Sequence, residues 1–128
     1  MERPIRKILV PTDFSACAEE ALDYALELAR ALGASVEVCH CGPTPDYHVP
    51  ALVSPAMRTA AADLVAQLAA MTEASRHELD ELIARRAPTA GAPLSGCSVD
   101  GAPDEGITRR AAEGGADLIV IGSHGRRG

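Results

Sequence analysis

The sequence predicts an α/β fold, an open, mostly parallel twisted sheet with helices on both faces. Short apolar runs, Lys7-Ile-Leu-Val-Pro11 near the start and Leu118-Ile-Val-Ile121 near the end, read as strands. Between them lie stripes of apolar residues at helical spacing. The resulting order is β-α-β-α-β-α-β, and strands that alternate with helices pair in parallel through right-handed crossovers.

Each element has its own signal. After the first strand, Ser15 is placed to cap a helix with its hydroxyl. Ala21, Leu22, Ala25, Leu28, Ala29 and Leu32 form the stripe of that helix, and Gly33 stands where a left-handed cap ends it. Ser35–Cys41 alternates as a second strand, with Val36, Val38 and His40 on one face and Cys39 and Cys41 on the other. Residues 42–55 are proline-rich and exclude a regular helix. From Met57 to Ala87 the period is helical again, with Leu64, Leu68, Met71, Ser75, Leu79 and Leu82 in one stripe. A helix of that length is expected to contain a kink or break.

Pro93–Val99 reads as a third strand. Pro103 then opens a helix over Asp104–Glu113 that stops at Gly114-Gly115. Leu118–Ile121, four consecutive apolar residues, is expected to be a strand buried on both faces.

Composition narrows the function. The 128 residues are expected to form one domain, with a core that needs no disulfide staples. A net charge of −6 argues against nucleic acid or an anionic membrane as partner. No Trp, one Phe and two Tyr leave no platform on which bases could stack. No apolar run reaches the roughly 20 residues that span a bilayer, and the first residues, MERPIRK, lack a signal-peptide core. The expected location is the cytoplasm. Cys17, Cys39, Cys41 and Cys97 are scattered and read as small buried hydrophobes rather than a disulfide framework.

In such sheets ligands bind beyond the carboxyl ends of the strands, where the strand order reverses. Gly122-Ser123-His124-Gly125-Arg126-Arg127 follows the last strand. Its glycines allow backbone to approach an anion, and its arginines add positive charge. A plain strand-to-loop turn fits the same residues. Asp13, directly after the first strand, fits an acceptor for a ligand hydroxyl, and equally a carboxylate at the dipole of the next helix. Thr12 shares that ambiguity. In Cys39-His40-Cys41, alternation sets His40 opposite both thiols, which argues against one shared metal ion. No nucleophile elbow and no Walker loop is present, and the only lysine is Lys7.

Three stretches, PTDFS, VCHC and GADLIVIGSHGRRG, together resemble the universal stress protein family, in the family's order and over nearly the whole chain. VDGAPDEGITRRAAEGGADLIVIGSHG is similar to the family's third-strand, helix and fourth-strand run. The resemblance implies an adenine-nucleotide alpha-hydrolase-like fold with strand order 3-2-1-4-5, usually in a homodimer. It implies ATP or a related adenine nucleotide as ligand, with Mg²⁺ compatible, in a stress-response regulator rather than an efficient enzyme. By that analogy Asp13 contacts the ribose or adenine end, Pro11 and Thr12 shape the pocket, and the Cys41 backbone reads the adenine edge. Gly122 and Gly125 match the first glycines of the family's phosphate loop. Its second half, nine residues on, falls beyond Gly128, as do the fourth helix and fifth strand. The sequence is therefore expected to be C-terminally incomplete, with order 3-2-1-4 and an exposed edge at Leu118–Ile121. Ala102 stands where the family often has a capping side chain.

Three other readings compete. A ligand-free interaction module of the same family differs in lacking the second half of the phosphate loop. A receiver-like phosphoacceptor would use Asp13 and Asp100, yet Thr12-Asp13 supplies one acidic residue where Mg²⁺ needs a pair. An adenylating enzyme would need a Ser-Gly-Gly loop or a His-x-Gly-His motif, and PTDFS is neither. Slow ATP hydrolysis is compatible with the chain, although no general base can be named.

Overall fold

A computed structural model describes residues 4–42 and 54–123. Its elements are β1 (Lys7–Pro11), α1 (Ala16–Leu32), β2 (Ser35–Gly42), α2 (Pro55–Ala90), β3 (Leu94–Asp100), α3 (Pro103–Gly114) and β4 (Leu118–Ile119). The strands form one sheet in the order β3-β2-β1-β4, and every pairing is parallel. The chain adds β2 and β3 to one side of β1, then returns to lay β4 on the other. A receiver-like order begins 2-1-3 instead, so the topology argues against that reading.

The alternation in the strands sorts the helices. Ile8, Val10, Val36 and Val38 face α1 and α2, and they share one core with Leu22, Leu26, Leu79 and Leu82. α3 covers the opposite face, where a Cβ on Gly106 would lie 3.1 Å from the Cys41 sulfur. Those residues bury the sheet on both sides, which requires every backbone donor inside it to find a ladder partner.

α1 begins where Ser15 accepts the Ala18 N–H at 3.1 Å and ends where Gly33 adopts φ 69°. Its buried stripe is Ala18, Ala21, Leu22, Ala25, Leu26 and Ala29. Leu26 thus belongs to the core, while Leu32 is 49% exposed, contrary to the sequence expectation. At 100° per residue Leu32 stands about 80° from Leu22, off the line of contact.

α2 is longer than expected and continuous, 36 residues from Pro55 to Ala90, with no break at Pro88. Pro88 lies close to the end, and Ser54 caps the start by accepting the Met57 N–H at 3.2 Å. Leu79 and Leu82 are buried, whereas Leu64 and Met71, from the same stripe, are exposed. The reason is length: 36 residues of helix span about 54 Å, against about 23 Å for a seven-residue strand. Only the second half of α2 has a sheet to pack on. There Arg85 pairs with Glu19 at 2.8 Å and Arg86 with Asp23, tying α2 to α1.

β4 also departs from expectation. Leu118 and Val120 pack against the core, but Ile119 is 40% and Ile121 61% exposed. β4 is the edge of the described sheet, and Ile119, paired with Leu9, points to the face that α3 covers chiefly over β2 and β3. The strand was expected to be buried on both faces; it is buried on one.

On that same face Glu37 is 6% exposed, a carboxylate inside the sheet. Arg110 donates to both of its oxygens at 2.8 Å, and Lys7 lies 3.5 Å away. The Arg110 hydrogen bond holds the Glu37 carboxyl below its ordinary pKa, against the opposing effect of burial. Lys7 also donates to the Gly114 carbonyl at 2.9 Å, closing the end of α3.

Candidate functional site

The strand order reverses between β1 and β4, so their carboxyl ends splay apart there. A cleft of about 250 Å³ opens at that point. Pro11, Thr12 and Asp13 form one wall, directly after β1. Ser15, Cys17 and Ala18 from the first turn of α1 continue it. Cys39, His40 and Cys41 of β2, Pro103 and Ile107 of α3, and Ile121 and Gly122 after β4 complete the lining.

The loop from Thr12 to Ser15 is held by its own side chains. The Thr12 N–H donates to the Cys39 carbonyl at 2.8 Å, prolonging the ladder past the end of β1. Thr12 Oγ1 then accepts the Phe14 N–H, and Asp13 Oδ1 accepts the Ser15 N–H, each at 3.0 Å. Asp13 therefore serves both of its sequence readings: it borders the cleft and closes the turn ahead of α1. Phe14 takes φ 65°, the one positive φ of a non-glycine among the described residues. Such a conformation costs about 1–2 kcal/mol and needs support from its surroundings.

Gly122 has a steric reason. A Cβ there would lie 2.8 Å from both the carbonyl oxygen and the sulfur of Cys17. The chain leaving β4 thus runs against the first turn of α1, closer than any side chain allows. Cys41 borders the cleft with its sulfur 3.9 Å from the Pro103 carbonyl. Ser123 is exposed and stands outside the cleft lining among the described residues. His124, Gly125, Arg126 and Arg127 lie outside the described residues, as does the proline-rich run over 43–53.

Burial dominates the electrostatics. It pushes the Cys39 thiol far up, with Cys97 adding to the effect, so Cys39 is a neutral floor and not a thiolate. His40 is shifted down by burial, with Glu78 and Asp13 pulling the other way, which favours a neutral imidazole. Among the described residues, no group of three His, Cys, Asp or Glu side chains is placed to hold a metal ion. The cleft therefore offers an apolar floor of Ala18, Cys39 and Ile107, flanked by Pro11 and the exposed Ile121, beside the polar side chains of Thr12, Asp13 and Ser15. That arrangement suits a flat ring with a hydroxylated substituent.

Of the residues singled out in the sequence, Pro11, Thr12, Asp13, Cys41 and Gly122 line this one cleft. Cys17, His40 and Ile107 were not expected in the cleft. His40 had a signal, since it is the last residue of the Val36–Val38–His40 face; Cys17 and Ile107 had none, because only the fold brings their helices here.

Residues 4–128 match the Universal stress protein family. The chain belongs to that family. A universal stress protein family member from Burkholderia pseudomallei is 30% identical over 94% of this chain and 83% of its own, with a TM-score of 0.65. A universal stress protein in complex with cAMP is 23% identical over 91% and 71%, with a TM-score of 0.53. An Arabidopsis thaliana member with AMP bound is 19% identical over 94% and 78%, with a TM-score of 0.58. A search of the curated proteins found no match. The universal stress protein structures share the adenine-nucleotide alpha-hydrolase-like fold described above.

Proposed function

We propose that this universal stress protein binds ATP or a related adenine nucleotide and acts by occupancy, as a stress-response regulator rather than an enzyme. The observation that carries the proposal is the cleft itself, which brings Pro11, Thr12, Asp13, Cys41 and Gly122 together where the strand order reverses. Two relatives of the same fold carry AMP and cAMP, which supports the ligand class.

The chemistry orients the ligand. The apolar floor takes the base, and the backbone at Cys41 reads its edge. Asp13 accepts a ribose hydroxyl. Its negative charge repels phosphates, so these point away, toward Gly122 and the following Ser123, His124, Gly125, Arg126 and Arg127. Arginine there supplies the charge that the described lining lacks. Mg²⁺ enters only as a companion of the phosphates, which with water provide most of its ligands. Occupancy then changes the surface offered to a partner protein. Self-association into a dimer is part of the proposal, and the exposed Ile119 and Ile121 at the sheet edge support it.

Titration calorimetry with AMP, cAMP, ATP and GTP tests the reading. Saturable binding of the adenine ligands, with GTP much weaker, supports it. A protein that takes up none of them contradicts it and favours the ligand-free interaction module.

A further inference from the structure

The left-handed turn at Phe14 needs support beyond its own loop, and besides packing against the core the Phe14 side chain meets a ring. Phe14 and His40 stack with centroids 4.9 Å apart and planes 25° from parallel. A parallel contact at that distance contributes beyond simple area burial. His40 lines the cleft and also a smaller cavity of about 60 Å³ on the α2 side, bordered by Met71 and Ser75. It is therefore the partition between the two. Gly42 leaves the imidazole its room, since a Cβ there would lie 3.3 Å from His40 Cε1. Burial keeps the ring neutral, the form best suited to a dry contact.

The consequences run through the loop. The residue that His40 supports lies between Asp13 and Ser15, and its own N–H is the donor to Thr12 Oγ1. Without support, Phe14 relaxes to a negative φ, the chain direction changes, and the bonds at Thr12 and Asp13 cannot both persist. We propose that His40 is a positioning residue of the nucleotide site: its imidazole, stacked on Phe14, holds the strained turn that sets Thr12 and Asp13 at the cleft wall. The proposal rests on the nucleotide reading for its functional consequence, though not for its structural one.

The test uses the full chain with His40→Leu, which keeps an apolar side chain but no ring, and His40→Phe, which keeps a ring that cannot titrate. Two quantities are read: amide exchange at Phe14 and Ser15 in nucleotide-free protein, and affinity for AMP. His40→Leu is expected to speed exchange at both amides and to weaken AMP binding about tenfold, as when a tenth of the population keeps the competent turn. His40→Phe is expected to restore both. In a Phe14→Gly background, where the positive φ costs little, His40→Leu is expected to add no further change in Ser15 exchange.

Unchanged exchange in His40→Leu would overturn the proposal. So would a loss of protection spread evenly over α1 and β2, which marks a general packing role. A wild-type protein that does not bind AMP would remove the nucleotide reading, while the exchange measurements still decide the role of His40.

Discussion

At the scale of single residues, Asp13 and Gly122 make the clearest demands. The Asp13 carboxylate borders the cleft and accepts the Ser15 N–H, so Asp13→Ala removes the proposed ligand acceptor and a turn bond together. Hydrogen bonds to charged groups contribute about 1.5–3 kcal/mol, which predicts AMP binding weaker by roughly 10- to 100-fold in calorimetry. Gly122→Ala acts differently. Its Cβ would meet backbone, the Cys17 carbonyl, which cannot rotate aside. Overpacking of this kind costs about 1–3 kcal/mol. A lower melting temperature is expected, together with weaker binding, because Gly122 lines the proposed nucleotide cleft.

At the scale of elements, α2 and the Glu37–Arg110 pair separate what is packed from what is not. Leu79 is buried and Leu64 is half exposed, though both belong to one stripe. Leu79→Ala is expected to cost about 2–5 kcal/mol in chemical denaturation, and Leu64→Ala about 0.5 kcal/mol or less. Glu37 sets a pH dependence. Its folded pKa lies below its ordinary value of 4.5, so its contribution is complete above about pH 5 and is lost as pH falls through the folded pKa. Glu37→Gln is expected to flatten stability against pH in that acid window. Arg110 is 30% exposed, which places the cost of that substitution toward the low end of the roughly 3–5 kcal/mol for breaking a buried pair. This pair had no sequence signal, since 73 positions separate its partners. The strands and helices were legible because their periods are local. The overrun of α2 was not, because a stripe records which side of a helix is apolar and not where the sheet ends.

For the whole molecule, topology explains the remaining gap between sequence and structure. Four apolar residues at Leu118–Ile121 looked like a strand covered on both faces, yet covering depends on which helix crosses where, and α3 packs chiefly on β2 and β3, leaving Ile119 40% exposed. The cleft was legible through Pro11–Asp13 and Gly122 because strand ends at a reversal point carry their own polar and glycine punctuation. Cys17 and Ile107 join it only through the fold. The proposed self-association is tested at Ile119, which is 40% exposed: Ile119→Lys is expected to shift light scattering toward the monomer while leaving AMP affinity within about twofold, since Ile119 does not line the cleft. The central claim is adenine-nucleotide occupancy, and it is tested most directly by denaturing the purified protein and identifying what it releases by mass spectrometry. The account predicts an adenine nucleotide, recovered at near-equimolar yield or taken up stoichiometrically when AMP or ATP is supplied before the protein is denatured. A protein that releases none and retains none after that loading would contradict it.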